Sequence, residues 1–148
     1  MADHRLAGFY TEEMRYHGNR VGFRAIALSG RTVVLAHVDI SGPYRVGRYG
    51  VKIDTFESLV EEELGGVAGG SDLCIIDEIG KMECFSNVFI DAVTKLLDSD
   101  MPVLATIAAK GGGFVAEAKA RPDVEVLHVS ARNRDQLPRD LVGKLSSS

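Results

Sequence analysis

Asp77 and Glu78 are adjacent carboxylates set directly behind the apolar run Leu73-Cys74-Ile75-Ile76, with Ile79-Gly80-Lys81 following. A continuous apolar run bounded by turn signals reads as a strand buried on both faces. The two acids then emerge at its C-terminal end, where open α/β sheets bind ligands. One carboxylate in that place suits a hard cation such as Mg²⁺, which takes oxygen ligands and keeps part of its water shell. The other suits the polarisation of an attacking water. The same residues also describe a buried strand that simply ends in hydrated acids, and on their own they leave the two readings level.

The elements that must hold these acids are legible on both sides. Residues 6–11 read as a short strand ending in Thr11-Glu12-Glu13. Residues 21–28 and 32–38 flank Ser29-Gly30-Arg31, the pattern of a hairpin with glycine in its turn. Residues 41–50, rich in glycine with Pro43, Arg45 and Arg48, read as a loop. A short strand is expected at 49–53. Asp54 followed by Glu57 reads as a capping box opening a helix to about Leu64, which Gly65-Gly66 and Gly69-Gly70 should end.

After the acidic strand, Phe85, Val88, Phe89, Ala92, Val93, Leu96 and Leu97 recur at helical spacing as one apolar stripe. Pro102 introduces a strand at 103–107, Gly111-Gly112-Gly113 leads into a short helix at 114–120, and 124–129 reads as a last strand. Strands and helices alternate from residue 49 onward, which argues for a parallel sheet with right-handed crossovers. The expected architecture is thus a single α/β domain over 1–148: a mixed, mostly parallel sheet with flanking helices and one antiparallel hairpin.

A chain of 148 residues suits one domain, and a domain of this size buries roughly two-thirds of its unfolded surface. Apolar residues at 45% and charged residues at 26% are ordinary for a globular protein. A net charge of −4 gives no clear signal for a nucleic-acid partner, a local basic patch apart. Cys74 and Cys84 straddle the acidic turn and do not form a disulfide framework, which fits a reducing, cytoplasmic location. No leader pattern or membrane-length apolar stretch is present. His4, His17, His37 and His128 lack metal-ligand spacing.

Several segments together resemble a known family. Gly8-Phe9-Tyr10-Thr11-Glu12-Glu13, Arg45-Val46-Gly47-Arg48-Tyr49-Gly50-Val51, Ile75-Ile76-Asp77-Glu78-Ile79-Gly80-Lys81-Met82-Glu83, Pro102-Val103-Leu104-Ala105-Thr106-Ile107 and Asn133-Arg134-Asp135 follow in the order and spacing of the small P-loop nucleoside-triphosphatases. That family includes the cancer-related nucleoside triphosphatase and thermophile homologues. The resemblance implies a P-loop NTPase-like fold and Mg²⁺-dependent hydrolysis of ATP, GTP or another nucleoside triphosphate. It makes the acidic strand a Walker B strand, with Asp77 directed at the metal and Glu78 activating water. The implied nucleotide-binding set is Asp77, Glu78, Ile79, Gly80, Lys81 and Thr106. Arg15, Arg45 and Arg48 become candidate charge stabilisers, and Asn133-Arg134-Asp135 a contact to base or ribose. Lys81 and Glu83 are expected to pair at the surface or to face the phosphates.

One part of the family pattern has no counterpart. Members carry a strand, a G-x-x-x-x-G-K-[ST] loop and a helix ahead of Gly-Phe-Tyr-Thr, whereas only seven residues precede Gly8 here. Val67-Ala68-Gly69-Gly70-Ser71 and Lys110-Gly111-Gly112-Gly113 have the glycines without the pattern. That loop cradles phosphates with backbone N–H groups and a lysine. Hydrolysis by these 148 residues is therefore expected to be weak or absent, the alternative being a degenerate nucleotide-binding or protein-interaction module. Absence of that first strand, expected beside the Walker B strand, would leave exposed sheet edges prone to self-association.

Overall fold

The structure is a computed structural model and describes residues 5–68 and 70–130. Packing divides the chain into two compact units, Met1–Glu117 and Ala118–Ser148. The elements in chain order are β1 (Leu6–Tyr16), β2 (Asn19–Ala27), β3 (Thr32–His37), β4 (Arg45–Val46), β5 (Tyr49–Val51), α1 (Ile53–Ala68), β6 (Leu73–Ile79), α2 (Asn87–Asp98), β7 (Val103–Ile107) and α3 (Gly113–Ala120). The seven strands form one mixed sheet in the order β4-β5-β3-β2-β1-β6-β7.

The sheet is mixed, as the sequence implies, but its balance differs. Parallel pairing is confined to β1–β6 and β6–β7. The remaining pairs, β1–β2, β2–β3, β3–β5 and β4–β5, are antiparallel. Alternation of strands and helices suggested parallel order from residue 49, yet β5 joins β3 antiparallel, with Val51 opposite Ala36. β1 is also longer than the polar cluster at Thr11 suggested. Its ladder with β2 continues through Glu13↔Phe23 to Tyr16↔Asn19, because a hairpin arm needs backbone partners and not burial. His17 (φ 49) and Gly18 (φ 78) both take the left-handed conformation that a tight two-residue hairpin turn requires. The 41–50 segment, read as a loop, contains the small β4–β5 hairpin.

No gap lies beside β6, where a strand was expected to be missing. β1 occupies one side, with Gly8 opposite Ile75, and β7 the other, with Leu104 opposite Ile75. Gly8 permits this approach: its φ is +116, and a Cβ there would stand 1.7 Å from the Ile75 carbonyl oxygen.

Helices α1 and α2 pack against each other over this sheet. α1 runs through Gly65-Gly66 to Ala68, past the expected end at Leu64, and buries Phe56, Leu59, Val60 and Leu64. The capping box does not form. Asp54 Oδ1 accepts from the Thr55 N–H at 2.9 Å, while Glu57 Oε2 instead accepts from the Ser86 hydroxyl at 2.7 Å. Ser86 is itself the N-cap of α2, its Oγ accepting from the Phe89 N–H at 3.0 Å. The stripe on α2 buries Phe89, Val93 and Leu96 as expected. Phe9 of β1 meets Phe56 and Phe89 edge-on at 5.6 and 6.1 Å, joining strand and both helices in one core.

In the second unit, residues 121–130 have no regular secondary structure, so the strand expected at 124–129 does not form. Its apolar positions change phase between Val126 and Leu127, so no single strand face collects them. Val129 is accordingly 70% exposed. Arg121 pairs with Asp123 at 2.8 Å. His4, Gly69 and Asn133-Arg134-Asp135 lie outside the described residues. Among the described residues, no helix is long and apolar enough to cross a membrane.

Candidate active site

β6 and β7 run in register from Cys74↔Val103 to Ile76↔Ala105 and resume at Ile79↔Ile107. Asp77 and Glu78 therefore oppose the single residue Thr106, forming a bulge that aims the two acids differently. Thr106 Oγ1 donates to Asp77 Oδ1 at 2.7 Å, fixing that carboxylate at the strand end. Glu78 lines a cleft of about 220 Å³. Ile79 turns into the core and its carbonyl accepts from the Ala108 N–H at 3.1 Å.

The chain turns immediately after Gly80. A Cβ at this glycine would lie 3.0 Å from both Glu78 Cγ and Glu83 Oε1, so the absent side chain is what lets the two carboxyls converge. The Cys84 N–H closes the turn on the Gly80 carbonyl at 3.0 Å, and a single 3₁₀ turn follows over Glu83–Phe85. Phe23, Leu35, Val46 and Met82 form the apolar walls of the cleft, and Thr11, Glu78, Lys81 and Glu83 supply its polar groups.

Glu83 corrects the sequence reading. It is 4% exposed and not a surface partner of Lys81, which is the exposed member. Burial pushes its carboxyl up to about 7; a hydrogen bond from its own backbone opposes this, and the charge of Glu78 adds to it. Residue type argued against burial, since glutamate is seldom buried unless paired. Its position one turn after a glycine that follows two acids was the available signal. Glu78 is shifted in the same direction, by burial first and then by Asp77. The thiols of Cys74 and Cys84 are free, and burial pushes them up to about 12 and about 11, which disfavours the reactive thiolate.

The structure thus brings Asp77, Glu78, Gly80 and Thr106 together, with Lys81 at the same cleft. Arg15, Arg45 and Arg48 do not join them: their guanidinium groups bond to Gly18 O and Glu13, to Ile40 O and Arg48 O, and to Arg20 O and Tyr49 respectively. Among the described residues no group of three or more His, Cys, Asp or Glu side chains is placed to hold a metal ion. The donors at the bulge are all oxygen: two carboxylates and the Thr106 hydroxyl. That set is too small for a dedicated cage but suits Mg²⁺, which commonly binds one or two carboxylates while sharing its remaining positions with water and phosphate.

The family described as NTPase matches residues 1–142, and the chain belongs to it. Its similarity extends to particular members. The chain is 42% identical over 138 residues to the nucleoside-triphosphatase THEP1 of Thermotoga sp. (strain RQ2), a match spanning 93% of this chain and 79% of that protein. The crystal structure of THEP1 from the hyperthermophile Aquifex aeolicus superposes with a TM-score of 0.87 at 33% identity, covering 95% of this chain and 84% of that one. The solution structure of a human cancer-related nucleoside triphosphatase gives 0.80 at 40% identity, covering 97% and 82%.

Proposed function

We propose that this chain carries the water-activating part of a nucleoside-triphosphate hydrolysis site, with Glu78 as general base and Asp77 as the carboxylate directed at Mg²⁺. The observation that carries this reading is the bulge opposite Thr106, which divides two adjacent acids between two tasks. Asp77 is held by Thr106 at the strand end, whereas Glu78 faces a cleft. Relatives named as nucleoside-triphosphatases support a nucleoside triphosphate as substrate, ATP, GTP or another.

In this mechanism Glu78 orients a water and accepts its proton as the oxygen attacks the γ-phosphorus. The bond to the β,γ-bridging oxygen breaks, and nucleoside diphosphate leaves. Burial and the neighbouring Asp77 charge raise the basicity of Glu78, which brings a carboxylate closer to the pH at which it works best as a base. Asp77 and Thr106 would hold the hydrated Mg²⁺, which when bound neutralises charge on the phosphates. Lys81 adds a positive charge at the cleft. The 148 residues contain no G-x-x-x-x-G-K-[ST], so the amide and lysine cradle that dominates positioning in such reactions is not among them. Turnover by these residues is accordingly slow.

Mg²⁺-dependent phosphate release from several nucleoside triphosphates tests both parts. The purified chain should release phosphate no faster than its Glu78→Gln variant. With a strand and G-x-x-x-x-G-K-S loop joined ahead of Gly8, release should rise, and Glu78→Gln should then lower it by about 10² or more. A rate indifferent to Glu78→Gln in the extended chain would overturn the assignment of the base.

A further inference from the structure

Two carboxyl groups border one small space in the cleft. Glu78 and Glu83 both line it, and Gly80 lies between them in the turn. A Cβ on Gly80 would stand 3.1 Å from the Glu78 carboxyl carbon and 3.0 Å from Glu83 Oε1, so a single point beside this glycine touches both groups. They do not bond each other: the Glu78 side chain acts on Glu83 through its charge and not through a hydrogen bond. The turn keeps them in this relation, since the Cys84 N–H bonds the Gly80 carbonyl at 3.0 Å and the Ser86 N–H bonds that of Glu83 at 3.0 Å.

Glu83 is poorly matched for a buried carboxyl. It is 4% exposed, yet among the described residues no cation pairs with it; its hydrogen bonds come from backbone N–H groups, its own and that of Glu78. Burying such a group is costly unless polar partners satisfy it. A carboxylate offers about four acceptor positions, so two backbone donors leave capacity on the side that borders the cleft. The apolar walls, Phe23, Leu35, Val46 and Met82, offer a water no such partner. Of the polar groups there, Lys81 can only donate, whereas Glu78 and Glu83 are the acceptors that Gly80 brings together.

We propose that Glu83 is a second catalytic carboxyl, which holds the attacking water jointly with Glu78 by accepting one of its O–H groups while Glu78 accepts the other. This rests on Glu78 being the base of hydrolysis. A water bonded through one hydrogen swings about that bond, whereas two acceptors fix its plane and aim a lone pair at phosphorus. Two oxygens that share one water stand roughly 4.5–5.5 Å apart, a separation compatible with their common neighbour at Gly80. In the step, the water oxygen bonds the γ-phosphorus and the proton on the Glu78 side passes to that carboxylate. The bond to the β,γ-bridging oxygen breaks, and its electron pair leaves with the nucleoside diphosphate. The second hydrogen stays on the attacking oxygen, directed at Glu83, which neither gains nor loses a proton.

A crystal structure of the chain tests the geometry without turnover. It should show an ordered water within about 3.2 Å of both carboxyls, retained in Glu83→Gln and lost in Glu83→Leu. The role is tested by kinetics in the chain extended ahead of Gly8 as described above. Glu83→Leu should lower kcat about tenfold or more and leave KM for the nucleoside triphosphate within about twofold, because the water and not the substrate loses a partner. Glu83→Gln keeps a carbonyl acceptor of the same reach and should hold kcat within about threefold of the parent. Gly80→Ala puts a methyl between the two carboxyls at a residue without positive φ, and it should lower kcat in the same way even if Glu83→Leu does not fold. A fall in kcat on Glu78→Gln with none on Glu83→Leu or Gly80→Ala would overturn this proposal and spare the base. Indifference to Glu78→Gln would overturn both. A direct bond between the two carboxyls, or the lack of a shared water, would overturn the proposal as well.

Discussion

Glu83 is the residue at which burial and charge conflict most strongly. Its carboxyl titrates near 7 when folded against an ordinary 4.5, so the folded chain holds that proton more tightly than the unfolded chain does. The stabilisation is complete below about pH 4.5 and is lost as pH rises through about 7, on the order of 3 kcal/mol in all. Glu78, shifted in the same direction, adds to the trend. Urea denaturation should therefore give a lower midpoint at pH 8 than at pH 5, and Glu83→Gln should remove most of that difference. A midpoint that rises with pH in the parent chain would contradict the placement of this carboxyl. Asp77, Glu78 and Thr106 were legible because strand ends are marked by abrupt changes from apolar to polar residues. Glu83 was not, because glutamate as a residue type argues against burial, and its place one turn after Gly80 was a weaker signal than its charge.

At the scale of elements, Ser86 and Gly8 connect neighbours that sequence periodicity treats separately. Ser86 caps α2 through the Phe89 N–H and also donates to Glu57 of α1, and it is 1% exposed. Ser86→Ala should cost about 2 kcal/mol, combining a lost cap with a carboxylate left short of a donor, measurable as a lower denaturation midpoint. Gly8→Ala should be more severe and prevent normal pairing of β1 with β6, because the added Cβ meets the Ile75 carbonyl at a backbone angle that L residues avoid. Circular dichroism and melting of the two variants would rank them. Helix α2 and strands β6 and β7 were legible because each is a strongly patterned segment. The capping box at Asp54 and the strand at 124–129 were misread because both rest on local letters, whereas Glu57 is claimed by a residue of another helix.

Over the whole molecule, the mixed sheet was legible in outline and its order was not. Local pattern cannot tell that β5 turns back on β3 or that β6 is flanked on both sides. Among the described residues the order ends at β7, an apolar strand without a charged residue, while the other end is the two-residue β4. Very short edges resist further pairing, whereas longer apolar ones invite it. The Pro102 carbonyl and the Ala108 N–H both face β6. Alternate residues of a strand face the same neighbour, so the N–H and carbonyl of Ala105 point away from β6 toward the outer edge. We propose that the chain self-associates by strand addition there. Light scattering over a concentration series should show mass rising with concentration. Ala105→Pro, which removes an outward N–H and spares the bonds to β6, should return the protein toward monomer. A parent chain that stays monomeric at high concentration, or an association that Ala105→Pro leaves intact, would place the contact elsewhere than on β7.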